Sequence, residues 1–87
     1  MKMQKIKYTK QMGDNIRKIR LAQHMTQDDV ARELQLAGYD ISLGYYAKYE
    51  RAELNIRPDV LLGLTKIFQC DLMEFFKDIE EIGRAHV

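Results

Sequence analysis

The stretch that decides the fold is residues 26–51, TQDDVARELQLAGYDISLGYYAKYER. Thr26 stands three residues before Asp29, which is the spacing of a capping box at a helix N-terminus, and the acid also complements the helix dipole. Gly38 is suited to end this helix, because glycine readily takes the left-handed conformation of a C-terminal cap. The pattern therefore predicts a helix, the second of the chain, that starts after Thr26 and ends at Gly38. Its apolar stripe, at helical spacing, consists of Val30, Ala31, Leu34 and Ala37.

A shorter third helix is predicted over residues 43–51, directly after the favourable N-cap residue Ser42. Tyr46 and Tyr49 share one face of it with Ile41 just before, and this face is expected to point inward. The outward positions are then Leu43, Gly44, Tyr45 and Lys48. Two short helices joined by a glycine-containing turn form a helix-turn-helix candidate.

The flanking segments are helical as well. Thr9 is a candidate N-cap for a first helix over residues 10–23, and Pro58 suits the first turn of a fourth, where its missing N–H costs nothing. An Asp-x-x-Glu cap at Asp71 opens a fifth helix that Gly83 ends. The residues expected on the inward face of the fifth helix are Leu72, Phe75, Phe76, Ile79 and Ile82. Since no strand-like alternation of any length interrupts this pattern, the prediction is a compact all-α domain of five helices.

Length and composition limit the class of protein. The 87 residues suffice for one small domain, which we place at residues 9–82, between a basic N-terminal arm, 1–8, and a short tail, 83–87. Cys70 is the single cysteine, so no internal disulfide can form and a reducing compartment, the cytoplasm, is expected. No apolar run approaches the roughly 18 residues of a membrane span, and no apolar segment follows the basic start as in a signal peptide.

The net charge of +1 conceals an uneven distribution. Residues 1–20 hold seven basic side chains against one acid, a net charge of +6, whereas residues 21–56 sum to −3 and residues 57–87 to −2. A basic head on a mildly acidic body suggests one face that binds a polyanion, with Lys10 and Arg17 among its members. The alternative is that the basic run is a solvated, disordered start.

Three motifs occur in order along the chain: GDNIRKIR at residues 13–20, MTQDDVA at 25–31, and Ile-Ser at 41–42 followed by YAKYER at 46–51. Their order and spacing resemble the lambda-repressor-like (Xre-type) family of DNA-binding domains. That family has Gly-x-x-Ile-Arg-x-Leu-Arg, then Leu-Ser/Thr-Gln-x-x-Leu-Ala, then Ile-x-x-Ile-Glu-x-Gly, and the likeness extends to about residue 77. The resemblance implies a sequence-specific DNA-binding transcriptional regulator, in particular a repressor that acts as a homodimer.

The resemblance also implies how the third helix acts. It would enter the major groove of double-stranded DNA with Ser42 at its start. The positions that would face the bases are the outward ones, Leu43, Gly44, Tyr45 and Lys48. Few of these side chains can form bidentate hydrogen bonds to a base pair, so we expect DNA shape to contribute to recognition.

Further residues match family positions outside the third helix. Gln27 matches a glutamine that holds the DNA backbone and braces the recognition helix; its alternative role is that of an exposed residue of the capping turn. Arg51 and Asn55 match positions of phosphate contacts and are otherwise ordinary loop residues. Arg20 and Glu50 match a structural salt bridge between the first and third helices.

The chain departs from the family pattern at the turn. Seven residues, 35–41, separate Leu34 from Ser42, where the family has two. We expect the five additional residues to lengthen the second helix by a turn and to add a small loop. At two helix ends other residues stand where the family commonly has glycine: Ala52 after the third helix and His24 after the first.

Two further functional questions have alternatives. A homodimer surface is expected at Phe75, Phe76, Ile79 and Ile82, unless these side chains close the monomer core instead. The second functional class is a protein-interaction module that keeps the fold and has lost specific DNA binding, which the tyrosine-rich region of the third helix suggests.

Other functional classes are disfavoured. An enzyme is not expected, because the chain shows no paired-carboxylate pattern, no phosphate-binding glycine loop and no Ser/His/Asp constellation. No metal site is predicted, since neither His24 nor His86 has a second ligand near it in sequence. No cofactor or small-molecule ligand is predicted either.

Overall fold

Four α-helices and a short 3-10 helix make up residues 10–79, the part of the chain that the computed structural model describes. The α-helices are α1 (Lys10–Ala22), α2 (Gln27–Leu36), α3 (Leu43–Glu50) and α4 (Pro58–Phe68), and the 3-10 helix is Leu72–Phe76. No strand occurs within these residues, which confirms the predicted all-α fold. None of the helices is both long and apolar enough to cross a lipid bilayer.

The N-termini of α2 and α3 have the side-chain caps that the sequence predicts. At α2, Thr26 Oγ1 accepts a hydrogen bond from the Asp29 N–H at 3.0 Å, and the Asp29 carboxylate accepts one from the Thr26 N–H at 2.8 Å. At α3, Ser42 Oγ accepts a hydrogen bond from the Tyr45 N–H at 3.1 Å. Pro58 occupies the first turn of α4. The cap predicted at Thr9 lies outside the described residues.

Three C-termini are closed by residues other than glycine in the left-handed conformation, one of them Gln69 after α4, with φ 54°. His24, after α1, has φ 59°, and Ala52, after α3, has φ 60°. At the end of α3 the Ala52 N–H donates to the Tyr49 carbonyl at 3.1 Å and the Glu53 N–H to the Lys48 carbonyl at 2.9 Å, the bonds of a Schellman motif. The helix therefore ends where the family has glycine, at the energetic cost of a Cβ in a left-handed residue.

The core forms where α3 packs against α1 and α2, with α4 against α2 and the 3-10 helix against α1 and α4. Gly13 lets α1 approach α3 closely, because a Cβ at this position would lie 2.5 Å from the Glu50 carbonyl oxygen. The buried apolar side chains are Met12, Ile16, Val30, Ala31, Leu34, Ile41, Tyr46, Tyr49, Val60, Leu61, Leu64, Phe68 and Phe75.

The lengthened turn between α2 and α3 is folded back onto α4. Helix α2 extends two residues past Leu34, to Leu36, less than the full turn expected, and Gly38 follows its C-cap in the left-handed region with φ +99°. The Tyr39 N–H then donates to the Leu34 carbonyl at 2.9 Å, and Ile41 is buried. The ring of Tyr39 lies against Gly63 of α4, where a Cβ would come within 2.8 Å of Tyr39 Cε2.

Over the described part of the predicted fifth α-helix, residues 71–79, no α-helix forms; a five-residue 3-10 helix takes its place and ends before Lys77. The Asp71 side chain makes no capping hydrogen bond. Asn15 of α1 donates from Nδ2 to the Phe75 carbonyl at 3.0 Å and to the Lys77 carbonyl at 2.8 Å. This contact from 60 residues away satisfies carbonyls that a continuing α-helix would have bonded to its own N–H groups. Ile82, the predicted arm and the predicted tail lie outside the described residues.

Candidate nucleic-acid interface

A buried ion pair holds α3 against α1. The Glu50 side chain accepts from Arg20 Nε at 2.6 Å and from Arg20 Nη2 at 3.0 Å, the fork geometry of a bidentate pair. Glu50 is 4% exposed and Arg20 is 7% exposed. The third arginine nitrogen, Nη1, donates at 2.9 Å to the carbonyl of Met25, which lies between α1 and α2. The two residues thus lie together as a structural salt bridge within the core.

Two more side chains converge on the same carboxylate. Tyr46 Oη donates to Glu50 Oε2 at 2.6 Å, and Gln27 Nε2 donates to Glu50 Oε1 at 2.9 Å. Burial by itself would raise the pKa of Glu50, but the hydrogen bonds from Arg20, Tyr46 and Gln27 outweigh it and hold this pKa below its ordinary value. The hydrogen bond and the charge of Glu50, with a smaller contribution from Tyr46, raise the pKa of Arg20 against its burial. This network, Arg20–Gln27–Tyr46–Glu50, ties α1, α2 and α3 together.

The outward face of α3 carries little charge. Leu43 is 43% exposed and Tyr45 47% exposed, and Lys48 is exposed on the same helix. Gly44 faces open space, because a Cβ there would meet no atom within 4 Å. Tyr46 and Tyr49 are buried on the opposite face. The structure therefore brings together the four outward residues that the sequence predicts.

The N-terminus of α3 is open to a ligand. Its first turn holds no acidic residue, and Ser42 caps it through Oγ while remaining exposed. A helix start of this kind presents backbone N–H groups and the positive end of the helix dipole. At Gly44 the backbone can be approached without obstruction by a side chain.

The N-terminus of α2 differs from the phosphate-contacting helix start that the resemblance implies at Gln27. The amide of Gln27 donates to Glu50 rather than pointing outward, so its bracing role is present in the geometry. Asp28 and Asp29 lie in the same first turn, and Arg32 pairs with both, at 2.9 Å and 3.5 Å. Hydrogen bonds with Thr26 lower the pKa of Asp29. Two carboxylates therefore stand where the resemblance implies a phosphate, and only Arg32 compensates them.

The loop from α3 to α4 carries two arginine–carboxylate forks. Arg51 donates to Glu53 at 2.9 Å and 3.1 Å, and Arg57 donates to Asp59 at 3.0 Å and 3.1 Å. These hydrogen bonds raise the pKa of both arginines. Asn55 lies exposed between the two forks. Arg51 thus reaches the predicted region with its charge already compensated by a neighbouring acid.

Arg57 is a residue that sequence reasoning did not single out. It lies at the start of α4, close enough to Tyr45 and Tyr49 of α3 to interact with both electrostatically. The signal that could have found it is the sequence Arg-Pro-Asp, which places a cation directly before the helix and an acid two residues later. It adds a second arginine beside the outward face of α3.

The basic candidates of α1 lie on its exposed surface. Lys10 pairs with Asp14 at 3.6 Å, an exposed i, i+4 contact. Arg17 is exposed and, like Lys48, takes part in no ion pair within residues 10–79. Of the basic candidates in residues 10–79, these two therefore form no ion pair, although Lys48 is close enough to Glu53 to help lower the pKa of that carboxyl.

The residues predicted at a dimer surface have different environments. Phe75 is fully buried and packs edge-on against Phe68 at a centroid distance of 6.4 Å, so it serves the monomer core, one of the two roles considered. Phe76 and Ile79 are half-buried against the same core. Within residues 10–79, no group of three or more His, Cys, Asp or Glu side chains could hold a metal ion.

Comparison with known proteins agrees with this geometry. A family model described as helix-turn-helix matches residues 16–75, more than half of the chain and all four α-helices in whole or in part. No curated protein and no solved structure shows significant similarity to the chain. With the helix-turn-helix formed by α2 and α3 and the match covering both, the chain belongs to the lambda-repressor-like (Xre-type) family of DNA-binding helix-turn-helix domains.

Proposed function

We propose that this protein is a sequence-specific transcriptional repressor that inserts α3 into the major groove of DNA. The observation that carries the proposal is the sidedness of α3: Tyr46, Tyr49 and Glu50 are buried, while Leu43, Gly44, Tyr45 and Lys48 face outward. A helix has the right diameter for the major groove, and its N-terminal residues are the ones that reach base edges in this docking mode.

Each outward residue has a contact that its chemistry allows. Lys48 can donate to guanine O6 and N7 or to a phosphate, and Leu43 can pack against a thymine methyl group. Gly44 permits close approach of the helix backbone, and Tyr45 can donate its hydroxyl to a phosphate oxygen. Since Lys48 is the only charged member, sequence-dependent DNA shape contributes to the choice of site.

The buried network supports this docking mode by making α2 and α3 one unit. Gln27 joins the start of α2 to the end of α3 through Glu50, and Arg20 joins both to α1. Recognition by a helix requires that it be held by packed and hydrogen-bonded neighbours. A helix held in this way loses little conformational freedom on binding.

The repressor acts as a homodimer in this proposal. Two copies place their α3 helices in successive major grooves about 34 Å apart, and the bound site is then palindromic. Phe76 and Ile79, half-buried beside the core, are the described residues that this dimer surface would use, with Ile82 as a further predicted member.

Selection from random duplex DNA tests the proposal directly. We expect the enriched site to be a palindrome whose half-sites are about one helical turn apart. Affinity for it should fall with salt, with a log–log slope of about −0.9 for each phosphate contacted. If no duplex is enriched and mixed-sequence DNA shows no binding at about 50 mM salt, the proposed function is refuted.

A pair of lysine substitutions tests the docking of α3. Lys48→Ala should weaken binding and change the enriched sequence if Lys48 contacts a base. If Lys48 contacts a phosphate, the change should weaken binding to all sequences alike and reduce the salt slope by about 0.9. Lys66→Ala is the matched control, because Lys66 is an exposed lysine on α4. Equal binding by Lys48→Ala and the parent protein would exclude the proposed docking.

Two further changes test the remaining predicted contacts. Gln27→Ala should weaken binding to all sequences alike, because it loosens α3 and removes a predicted backbone contact. Deletion of residues 1–8 should flatten the salt slope if the basic arm contacts DNA. An unchanged slope would show that the arm does not contribute.

A second candidate function is a protein-interaction module. It is favoured by the exposure of Leu43 and Tyr45 on the outward face of α3, since aromatic and apolar side chains are enriched at the centres of protein interfaces. Binding that is insensitive to salt and requires these two residues would support this alternative over DNA binding.

A further inference from the structure

We propose that Tyr39, on the lengthened turn between α2 and α3, is a positioning residue that sets the orientation of α3 on DNA; this inference rests on the proposed function. The ring of Tyr39 lies directly on the backbone of α4 at Gly63. A Cβ at Gly63 would come 2.8 Å from Tyr39 Cε2, 3.0 Å from Cζ and 3.1 Å from the hydroxyl oxygen. Only a glycine leaves room for this contact.

The turn is anchored on both sides of Tyr39. Before it, Gly38 takes φ +99° and the Tyr39 N–H donates to the Leu34 carbonyl at 2.9 Å. After it, Gln35 Nε2 donates to the Ile41 carbonyl at 2.8 Å, and the Ile41 side chain is 1% exposed. Two hydrogen bonds and the buried Ile41 side chain therefore hold the segment from Gln35 to Ile41, and the segment connects rigidly to α3.

The segment from Gln35 to Ile41 leads directly into the first turn of α3, so its position determines where that helix begins. Ser42, which caps α3, follows Ile41 directly, and Leu43 is the first residue of the helix. The far end of α3 is held separately, through Glu50. The Tyr39 contact therefore governs the N-terminal end of α3, which carries Leu43, Gly44 and Tyr45.

Two opposite changes to the contact should have the same effect on recognition. Tyr39→Ala removes the ring, and Gly63→Ala places a Cβ where the ring lies and forces it away. Gly63→Ala also gains helix propensity, so it tests the contact in a protein whose α4 is not weakened. Tyr39→Phe keeps the ring and is the matched control for the hydroxyl. Leu72→Ala, in the 3-10 helix, is the control for a general loss of stability.

The first readout needs no DNA. Hydrogen exchange should be at least tenfold faster in Tyr39→Ala at the Tyr46 N–H, which donates to the Ser42 carbonyl at 2.9 Å in the first turn of α3. The Arg51 N–H, which donates to the Ala47 carbonyl at the other end, should keep its exchange rate. Equal acceleration at both ends would overturn the inference, because it would show general destabilisation.

The second readout is discrimination between DNA sequences. The probes are the duplex that the parent protein enriches from a random pool and a mixed-sequence duplex of equal length. We expect Tyr39→Ala and Gly63→Ala to lose at least tenfold in the ratio of the two affinities while mixed-sequence binding stays within about twofold. Tyr39→Phe and Leu72→Ala should keep the ratio.

The outcomes separate this inference from the proposed function. A parent protein that enriches no duplex refutes both, whatever the exchange data show. A parent protein that is selective, together with a Tyr39→Ala variant of equal selectivity, refutes the positioning role of Tyr39 alone. A ratio that falls equally in Leu72→Ala also refutes it, since a structural role would explain the loss.

Discussion

Glu50→Gln should destabilise this fold more than any other single change to a polar side chain in the described residues. The two oxygens of Glu50 together accept four hydrogen bonds. The substitution keeps the shape of the side chain but replaces one of these oxygens with an NH2 group, which is itself a hydrogen-bond donor and would face the N–H and O–H donors of its neighbours. It also leaves Arg20, 7% exposed, without its counter-ion. Breaking a buried pair in this way costs about 3–5 kcal/mol. The folding free energy of a chain this size is only about 4–13 kcal/mol.

Urea unfolding followed by circular dichroism at pH 7 measures this loss. With a slope of about 1 kcal/mol per molar urea, the midpoint should fall by about 3 M or more. The matched control is Asp59→Asn, which breaks an arginine–carboxylate fork of the same geometry on the surface, where solvent already hydrates both partners. We expect no measurable shift of the midpoint for this control.

A double substitution keeps the reasoning testable even if Glu50→Gln is largely unfolded. Arg20→Met removes the stranded charge, so the double variant Arg20→Met/Glu50→Gln should be more stable than the sum of the single effects predicts, by about 1–3 kcal/mol. A Glu50→Gln effect below about 1 kcal/mol, the range of exposed pairs, would refute the reasoning. Additive single effects would refute it as well.

The pH dependence of stability gives an independent check on the same carboxylate. Burial favours protonation of Glu50, but the hydrogen bonds from Arg20, Tyr46 and Gln27 prevail and lower its pKa from the ordinary 4.5. Because the pKa is lower in the folded state, the stabilisation is fully present above about pH 4.5 and is lost as the pH falls through the folded pKa. The difference in unfolding free energy between the parent protein and Glu50→Gln should therefore narrow on acidification below pH 4.5.

Three further predictions concern a close helix contact, a strained cap and a compensated charge. Gly13→Ala should cost about 1–3 kcal/mol in urea unfolding, because its Cβ would lie 2.5 Å from a backbone oxygen of α3. Gly44→Ala, with open space around it, should be neutral or stabilise by up to about 1 kcal/mol. Ala52→Gly should stabilise the folded protein by about 1 kcal/mol, since φ is 60° at this position, and should raise the melting temperature by about 4–8 °C. Its control, Ala47→Gly inside α3, should lower the melting temperature by a similar amount. Glu53→Gln frees the arginine two residues before it and should steepen the salt slope of binding to mixed-sequence DNA by about 0.9; an unchanged slope would show that this arginine does not contact phosphate.

The parts of this fold that were predictable depend on local chemistry. The capping box at Thr26, the cap at Ser42 and the proline at the start of α4 are each determined by a few adjacent residues. The inward face of α3 was predictable for a similar reason, because Tyr46 and Tyr49 lie on one side of any helix that starts after Ser42. The outward face of α3 follows from the inward one.

The features that were not predictable depend on contacts between distant residues. Asn15 donates to the carbonyls of Phe75 and Lys77, and this takes the place of the predicted fifth helix. Gln27 donates to Glu50, 23 residues away; its position at a helix N-terminus suggested only a phosphate, and the bracing role came from the family resemblance rather than from local chemistry. The contact of Tyr39 with Gly63 has no signature in sequence spacing at all. In each case one side chain satisfies a partner that only the assembled fold brings near.

If α3 docks on DNA as proposed, the charge arrangement around it favours discrimination between DNA sequences over general affinity for DNA. Arg51 and Arg57 each form a fork with an acid two residues later through Nε and Nη2, so a phosphate that contacts either arginine meets a charge that the acid already compensates. Such a contact adds little to electrostatic binding, which is the term common to all sequences. The outward face of α3 itself contributes only the charge of Lys48. Specificity is the ratio of the affinity for the specific site to the affinity for DNA of any sequence. When the second affinity is small, the ratio depends mainly on the DNA-shape and backbone contacts that an anchored α3 can make.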